Sequence, residues 1–83
     1  MNDTKIIFNV IQNSIPNDHP SVYQYIHGNK QTRQKVVNNI ANSFNGILCP
    51  PYSIGHVRRT VKTFLRSKEE QYKRGEIKIS PIY

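Results

Sequence analysis

The segment from Ser53 to Gly75 constrains this chain more than any other, because it can be little else than one long amphipathic helix. Ile54, Val57, Val61, Phe64, Leu65 and Tyr72 recur at steps of three, four or seven, which places them on one face at the helical period. No proline interrupts the run. Ser53 is suited to cap its start by accepting a backbone N–H bond, and Gly75 to end it in the left-handed region. The spacing predicts a helix over about 54–74, a length of about 30 Å. The whole chain has 83 residues, enough for one domain with a modest core.

Shorter helical segments precede it. Asp3 or Thr4 is the expected cap of a first helix, in which Ile6, Ile7, Val10 and Ile11 form one face before Ile15-Pro16 stops it. Asn17 to His19 reads as a turn. Pro20 then fits the first position of a second helix, with Asp18 or His19 as its cap and Val22, Tyr23 and Ile26 on its inner side. Gly28-Asn29 separates it from a third helix, Lys30 to Phe44, whose stripe is Val37, Ile40, Ala41 and Phe44 and which Asn45-Gly46 closes. Two prolines keep the apolar connection Ile47 to Tyr52 out of a helix. The tail from Glu76 alternates apolar and polar residues, as a short strand or an extended arm does. The fold class expected is therefore mainly α: a bundle of three to four helices in one domain spanning 1–83, with a helix-turn-helix arrangement, a long basic C-terminal helix and a 76–83 tail.

Charge narrows the partner. Twelve Lys and Arg against five Asp and Glu give a net charge of +7, and a polyanion is the natural counterpart, since each neutralised phosphate releases condensed counterions. Eight of those twelve cations lie between Arg58 and Lys78, so the charge is concentrated on and after the last helix. Arg59, Lys62, Arg66 and Lys73 fall opposite its apolar stripe with Arg58 on the flank, and Ser53 and Gly55 leave its start slim. A row of cations about one turn apart suits a helix that enters a major groove or lies along phosphates. Arg58, Arg59 and Arg66 are the candidates for base or bidentate phosphate contact, because a guanidinium offers a planar fork of donors. Lys62, Lys73 and Arg74 are the candidates for register-setting phosphate contacts. Lys30, Arg33 and Lys35, at the start of the preceding helix, are placed to hold the backbone; a structural ion pair between Arg33 and Asp18 is the competing assignment. The five tyrosines are expected in packing rather than in base stacking.

Other chemistries find little support. His19, His27, Cys49 and His56 are the soft ligands, and no pair has metal-ligand spacing. The acids form no catalytic pair, no glycine-rich phosphate loop occurs, and Cys49 stands alone in a proline-flanked apolar segment, so neither enzyme activity nor a cofactor is expected. The N-terminal apolar stretch, broken by Asn9, Gln12 and Asn13, is too short and polar to span a bilayer and lacks the basic start of a signal peptide. An intracellular protein without a membrane partner is the expectation: nuclear in a eukaryote, cytoplasmic in a prokaryote or phage.

Two sets of residues resemble known DNA-binding families. His19-Pro20-Ser21-Val22-Tyr23, then Arg33 with Val37 and Ile40-Ala41, then the basic helix from Val57 to Arg74 resemble the trihelical Myb/SANT domains, particularly the MADF group. That resemblance implies DNA binding through the third helix, or protein binding in some members. The tryptophans that mark those families are replaced here by Val37 and by Val61 or Phe64. The stretch Ser53 to Val61 also resembles the recognition helix of bacterial or phage winged-helix regulators, with Gly75 to Ile79 as the start of a wing. Both imply the same DNA-facing helix. The expected function is thus a DNA-binding module, a transcription regulator contacting phosphates and the major groove of double-stranded DNA. The alternative is a module that docks a protein partner or a second copy through the 47–52 connection and the apolar tail residues Ile77, Ile79, Ile82 and Tyr83.

Overall fold

The computed structural model describes residues 3–49 and 51–78, and four helices make up most of them: α1 (Asp3–Ser14), α2 (Pro20–His27), α3 (Lys30–Ser43) and α4 (Ile54–Lys73). The chain is mainly α, with no strand among the described residues.

The local chemistry that starts and stops each helix is visible in its caps. α1 begins at Asp3, so the cap expected of Asp3 or Thr4 is displaced by the helix itself; Asp3 instead puts a carboxylate in the first turn, where the positive end of the helix favours it. Thr4 Oγ1 shares a 3.0 Å hydrogen bond with His56 Nε2, which joins the start of α1 to the start of α4. His19 is the cap of α2: its Nδ1 accepts from the Ser21 N–H at 3.1 Å, with Pro20 in the first helical position. Asn29 caps α3, its Oδ1 accepting from the Thr32 N–H at 2.8 Å. The link between α2 and α3 is tight enough to exclude a side chain. A Cβ on Gly28 would lie 2.4 Å from the Gln24 carbonyl oxygen and 2.7 Å from Thr32 Cγ2.

After α3 the chain folds back on itself. Gly46, at φ 91°, turns it left-handed and donates its N–H to the Cys49 carbonyl at 2.9 Å. The connection thereby directs Phe44 and Leu48 into the core while Ile47 remains 66% exposed. Ser53 Oγ caps α4 by accepting from the His56 N–H at 3.1 Å. At the other end Gly75, at φ 78°, donates to the Tyr72 carbonyl, and Glu76 donates to that of Gln71, the paired bonds of a left-handed helix terminus.

α4 is the spine, packing against each of the other three helices. Its Val57, Val61, Phe64 and Leu65 are fully buried among Ile7 and Ile11 of α1, Val22 of α2 and the α3 stripe. Phe8 adds an edge-to-face contact with Phe64 at 5.6 Å between ring centroids. Two assignments on the smaller helices differ from the sequence expectation. In α2 the buried set is Val22, Tyr25 and Ile26, while Tyr23 is half-buried and packs its ring against exposed His27 at 4.6 Å. In α3 Val36 joins the buried stripe. In the tail, residues 76–78 form no strand, and Ile77 is half-buried against the core. Ile79, Ile82 and Tyr83 lie outside the described residues.

Candidate nucleic-acid interface

α3 and α4 run antiparallel, for Arg33 near the start of α3 meets Glu69 near the end of α4 at 2.6 Å. Two packed helices leave a valley between their outward faces. Here it is a groove of about 780 Å³. Its two sides carry rows at the i, i+4 spacing that keeps side chains on one helical face. Arg58, Lys62 and Arg66 form the α4 row, and Lys30, Gln34 and Asn38 form the α3 row. Tyr25, Gly28, Arg33, Val37 and Arg59 complete the lining. Each row covers two steps of about 6 Å along its helix.

Among the described residues, six of the twelve cations in the sequence therefore line one concavity, and no carboxylate lines it. Arg58, Arg59, Lys62 and Arg66 are exposed, with their charge offered to solvent. A concave surface lined by charges of one sign concentrates the field and attracts counter-ions of the opposite sign. The sequence-derived set thus divides. Arg58, Arg59, Lys62, Arg66 and Lys30 converge on the groove, whereas Lys35, Lys73 and Arg74 do not line it. Lys73 Nζ lies 3.9 Å from Glu69 and Arg74 Nη2 3.8 Å from Glu70, each one turn back along α4, so both have a counter-charge on their own helix.

Arg33 has a different place from its neighbours. Its guanidinium donates to Glu69 Oε2 at 2.6 Å, to the Ile26 carbonyl at 3.2 Å and to the Gly28 carbonyl at 3.3 Å, and it stacks over the Tyr25 ring at 5.1 Å. The ion pair foreseen with Asp18 is replaced by one with Glu69, a residue that the fold brings close from 36 positions away. Arg33 thus ties the end of α2, the start of α3 and the end of α4 together at the groove floor. Tyr25 beneath it is 4% exposed. Burial, reinforced by the Glu69 carboxylate, pushes its phenol above the ordinary 10.0, while Arg33 and Arg66 pull the other way.

Gln34 and Asn38 were not among the residues singled out from the sequence. They carry no charge and interrupt no pattern, so only the register of the groove reveals them; the i, i+4 step from Lys30 is the one signal in the sequence that points to them.

The remaining polar clusters are smaller. Thr4, Ser53, His56, Arg59, Thr60 and Thr63 surround a second hollow of about 350 Å³ on the far side of Arg59. Among the described residues no three of His, Cys, Asp and Glu come together as a metal-binding group. No helix among them is long and apolar enough to cross a membrane. No family model matches this chain, and neither a curated protein nor a solved structure shows a significant match to it.

Proposed function

We propose that the chain is a DNA-binding module that holds the phosphate backbone through the first four turns of α4. One observation carries this reading: the exposed cations Arg58, Arg59, Lys62 and Arg66, with Lys30 opposite them, meet in a groove that no acid lines. A merely solubilising basic face has no need to concentrate its charge in this way. Lys and Arg on a solvated helix are commonly offset by acids one turn away, as Lys73 and Arg74 are here. Of the groove cations Arg33 is paired with Glu69, whereas Lys30, Arg58, Arg59, Lys62 and Arg66 form no ion pair among the described residues. Five of them neutralising phosphates on duplex DNA give a slope of log K against log salt of about −4 to −5. Titrating a random duplex of about 20 base pairs across salt measures that slope directly. A flat or absent response at low salt, from this duplex and from its separated strands alike, sinks the proposal.

A protein partner is the second reading, and the exposure of Ile47, at 66%, is what favours it. Ile47 borders a hollow of about 370 Å³ whose lining includes Ile15, Ile40 and Phe44, at the end of the bundle away from Glu69. On this reading Ile47→Asp abolishes partner capture and leaves the salt-dependent binding of DNA unchanged.

A further inference from the structure

The groove has two unlike sides, and that asymmetry bears on which form of nucleic acid it holds. The α4 row, Arg58, Lys62 and Arg66, is wholly cationic. The α3 row starts with Lys30 and continues with two neutral amides, Gln34 and Asn38. Along the groove one side therefore offers charge and the other offers paired donor and acceptor groups. An unpaired polynucleotide strand has the matching division, with its phosphates along one edge and the hydrogen-bonding edges of its bases along the other. In a duplex those base edges face the complementary strand and open only into the grooves.

Size points the same way. A space of about 780 Å³ between two helices in contact is of the order that receives a drug-sized molecule or a few nucleotides. Sites for unpaired strands commonly stack bases on aromatic rings, but Tyr25 here is buried beneath the Arg33 guanidinium and has no face to offer. Base contacts then fall to the amides of the α3 row. Asn and Gln amides match the donor–acceptor edge of adenine, which gives the α3 row the means to discriminate between bases.

We infer that the α3–α4 groove receives an unpaired polynucleotide strand, its phosphates along Arg58, Lys62 and Arg66 and its base edges toward Gln34 and Asn38. This rests on the polyanion reading above and goes beyond it by fixing the form of nucleic acid, the polarity of its seating and two side chains that select bases. With Arg58, Lys62 and Arg66 as its three phosphate contacts, a single strand gives a salt slope of about −2.

The test compares mixed-sequence single-stranded DNA, single-stranded RNA of the same sequence and the corresponding duplex, each of about 20 nucleotides per strand, with the full chain. The inference expects one or both single strands to bind about tenfold or more tightly than the duplex; DNA and RNA share the groove chemistry, and the ratio between them identifies the natural form. Homopolymers of the four bases then probe selection. The wild-type chain should separate them by about fivefold or more, with adenine favoured, and Gln34→Ala/Asn38→Ala should bring them within about twofold while keeping the salt slope. Gln34 is exposed and Asn38 half-buried, and a helix tolerates alanine, so circular dichroism should show the variant folded. Should it unfold, Gln34→Glu alone replaces it, with loss of single-strand affinity expected. Duplex binding equal to or tighter than single-strand binding overturns the inference and leaves the DNA-binding proposal standing. An unchanged homopolymer preference in the double variant also overturns it. Failure of all three probes to bind overturns both.

Discussion

Replacing Arg33 by Met tests whether this guanidinium is part of the framework or part of the contact surface. The substitution retains most of the aliphatic stem and removes the charge with its three donated hydrogen bonds, to Glu69, Ile26 and Gly28. The Glu69 side chain is 13% exposed and would keep only Lys73, at 3.9 Å. Hydrogen bonds to charged groups contribute about 1.5–3 kcal/mol each when buried, and an exposed cation–π contact about 0.5–1 kcal/mol. These terms share one side chain and do not add, and the Arg33 side chain is 36% exposed, so solvent screens part of each. A net loss of about 2–3 kcal/mol follows, against a total stability of about 4–12 kcal/mol for a domain of this length. Urea unfolding at neutral pH should show a lower midpoint with an unchanged slope. Glu69→Gln in the same background completes a double-mutant cycle, with a coupling of about 1 kcal/mol or more expected. At a temperature where both proteins are folded, the salt slope for DNA should be the same in Arg33→Met and wild type. If Arg33→Met unfolds within about 0.5 kcal/mol of wild type yet lowers the salt slope by about one, the reasoning is refuted and Arg33 is a phosphate ligand.

Two glycines should respond in opposite directions. Gly28→Ala drives a Cβ to 2.4 Å from a backbone carbonyl that cannot move without unwinding α2, so it should cost about 2 kcal/mol or more; Gly55→Ala meets open space inside α4 and should gain about 0.5–1 kcal/mol, both read as shifts in Tm. The raised phenol of Tyr25 has a sign that can be worked out. Its folded value lies above the ordinary 10.0, so its contribution is fully present below about pH 10 and is lost as pH rises through the folded value. Tyr25→Phe should accordingly flatten the alkaline decline of stability in urea unfolding followed across pH. Phe64→Ala empties a fully buried position that also holds Phe8 edge-to-face, and should cost about 3–5 kcal/mol, read as a large fall in Tm.

Much of the fold was legible because its boundaries are set by residues with strict local requirements. Pro16 and Pro20 delimit the turn before α2, Asn29 and Ser53 cap α3 and α4 with their own side chains, and Gly75 supplies the left-handed φ that ends α4. The apolar stripe of α4 was equally plain, because twenty residues of helical period average out local exceptions. What the sequence concealed lies in shorter or longer-range terms. In the eight residues of α2 both Tyr23 and Tyr25 can flank Val22 and Ile26, and it is Tyr25, covered by the Arg33 guanidinium, that is buried while Tyr23 packs half-buried at the edge of the core beside His27. The Arg33 partner was hidden because chain proximity favoured Asp18 while the antiparallel packing of α3 on α4 delivers Glu69. The interface shows the same division. Its cations announced themselves through charge and spacing, but which of them converge, and that two neutral amides face them, depends on the groove between two helices rather than on either helix alone.

The salt dependence of DNA binding in single-residue variants tests the central claim most directly, because it counts phosphate contacts one side chain at a time. Arg58→Ala, Lys62→Ala and Arg66→Ala should each lower the slope of log K against log salt by about one, while Lys73→Ala and Arg74→Ala, whose charges face Glu69 and Glu70, should leave it unchanged. A slope insensitive to the three groove residues, or one that falls with Lys73 and Arg74 instead, would contradict the placement of the nucleic-acid backbone in the α3–α4 groove.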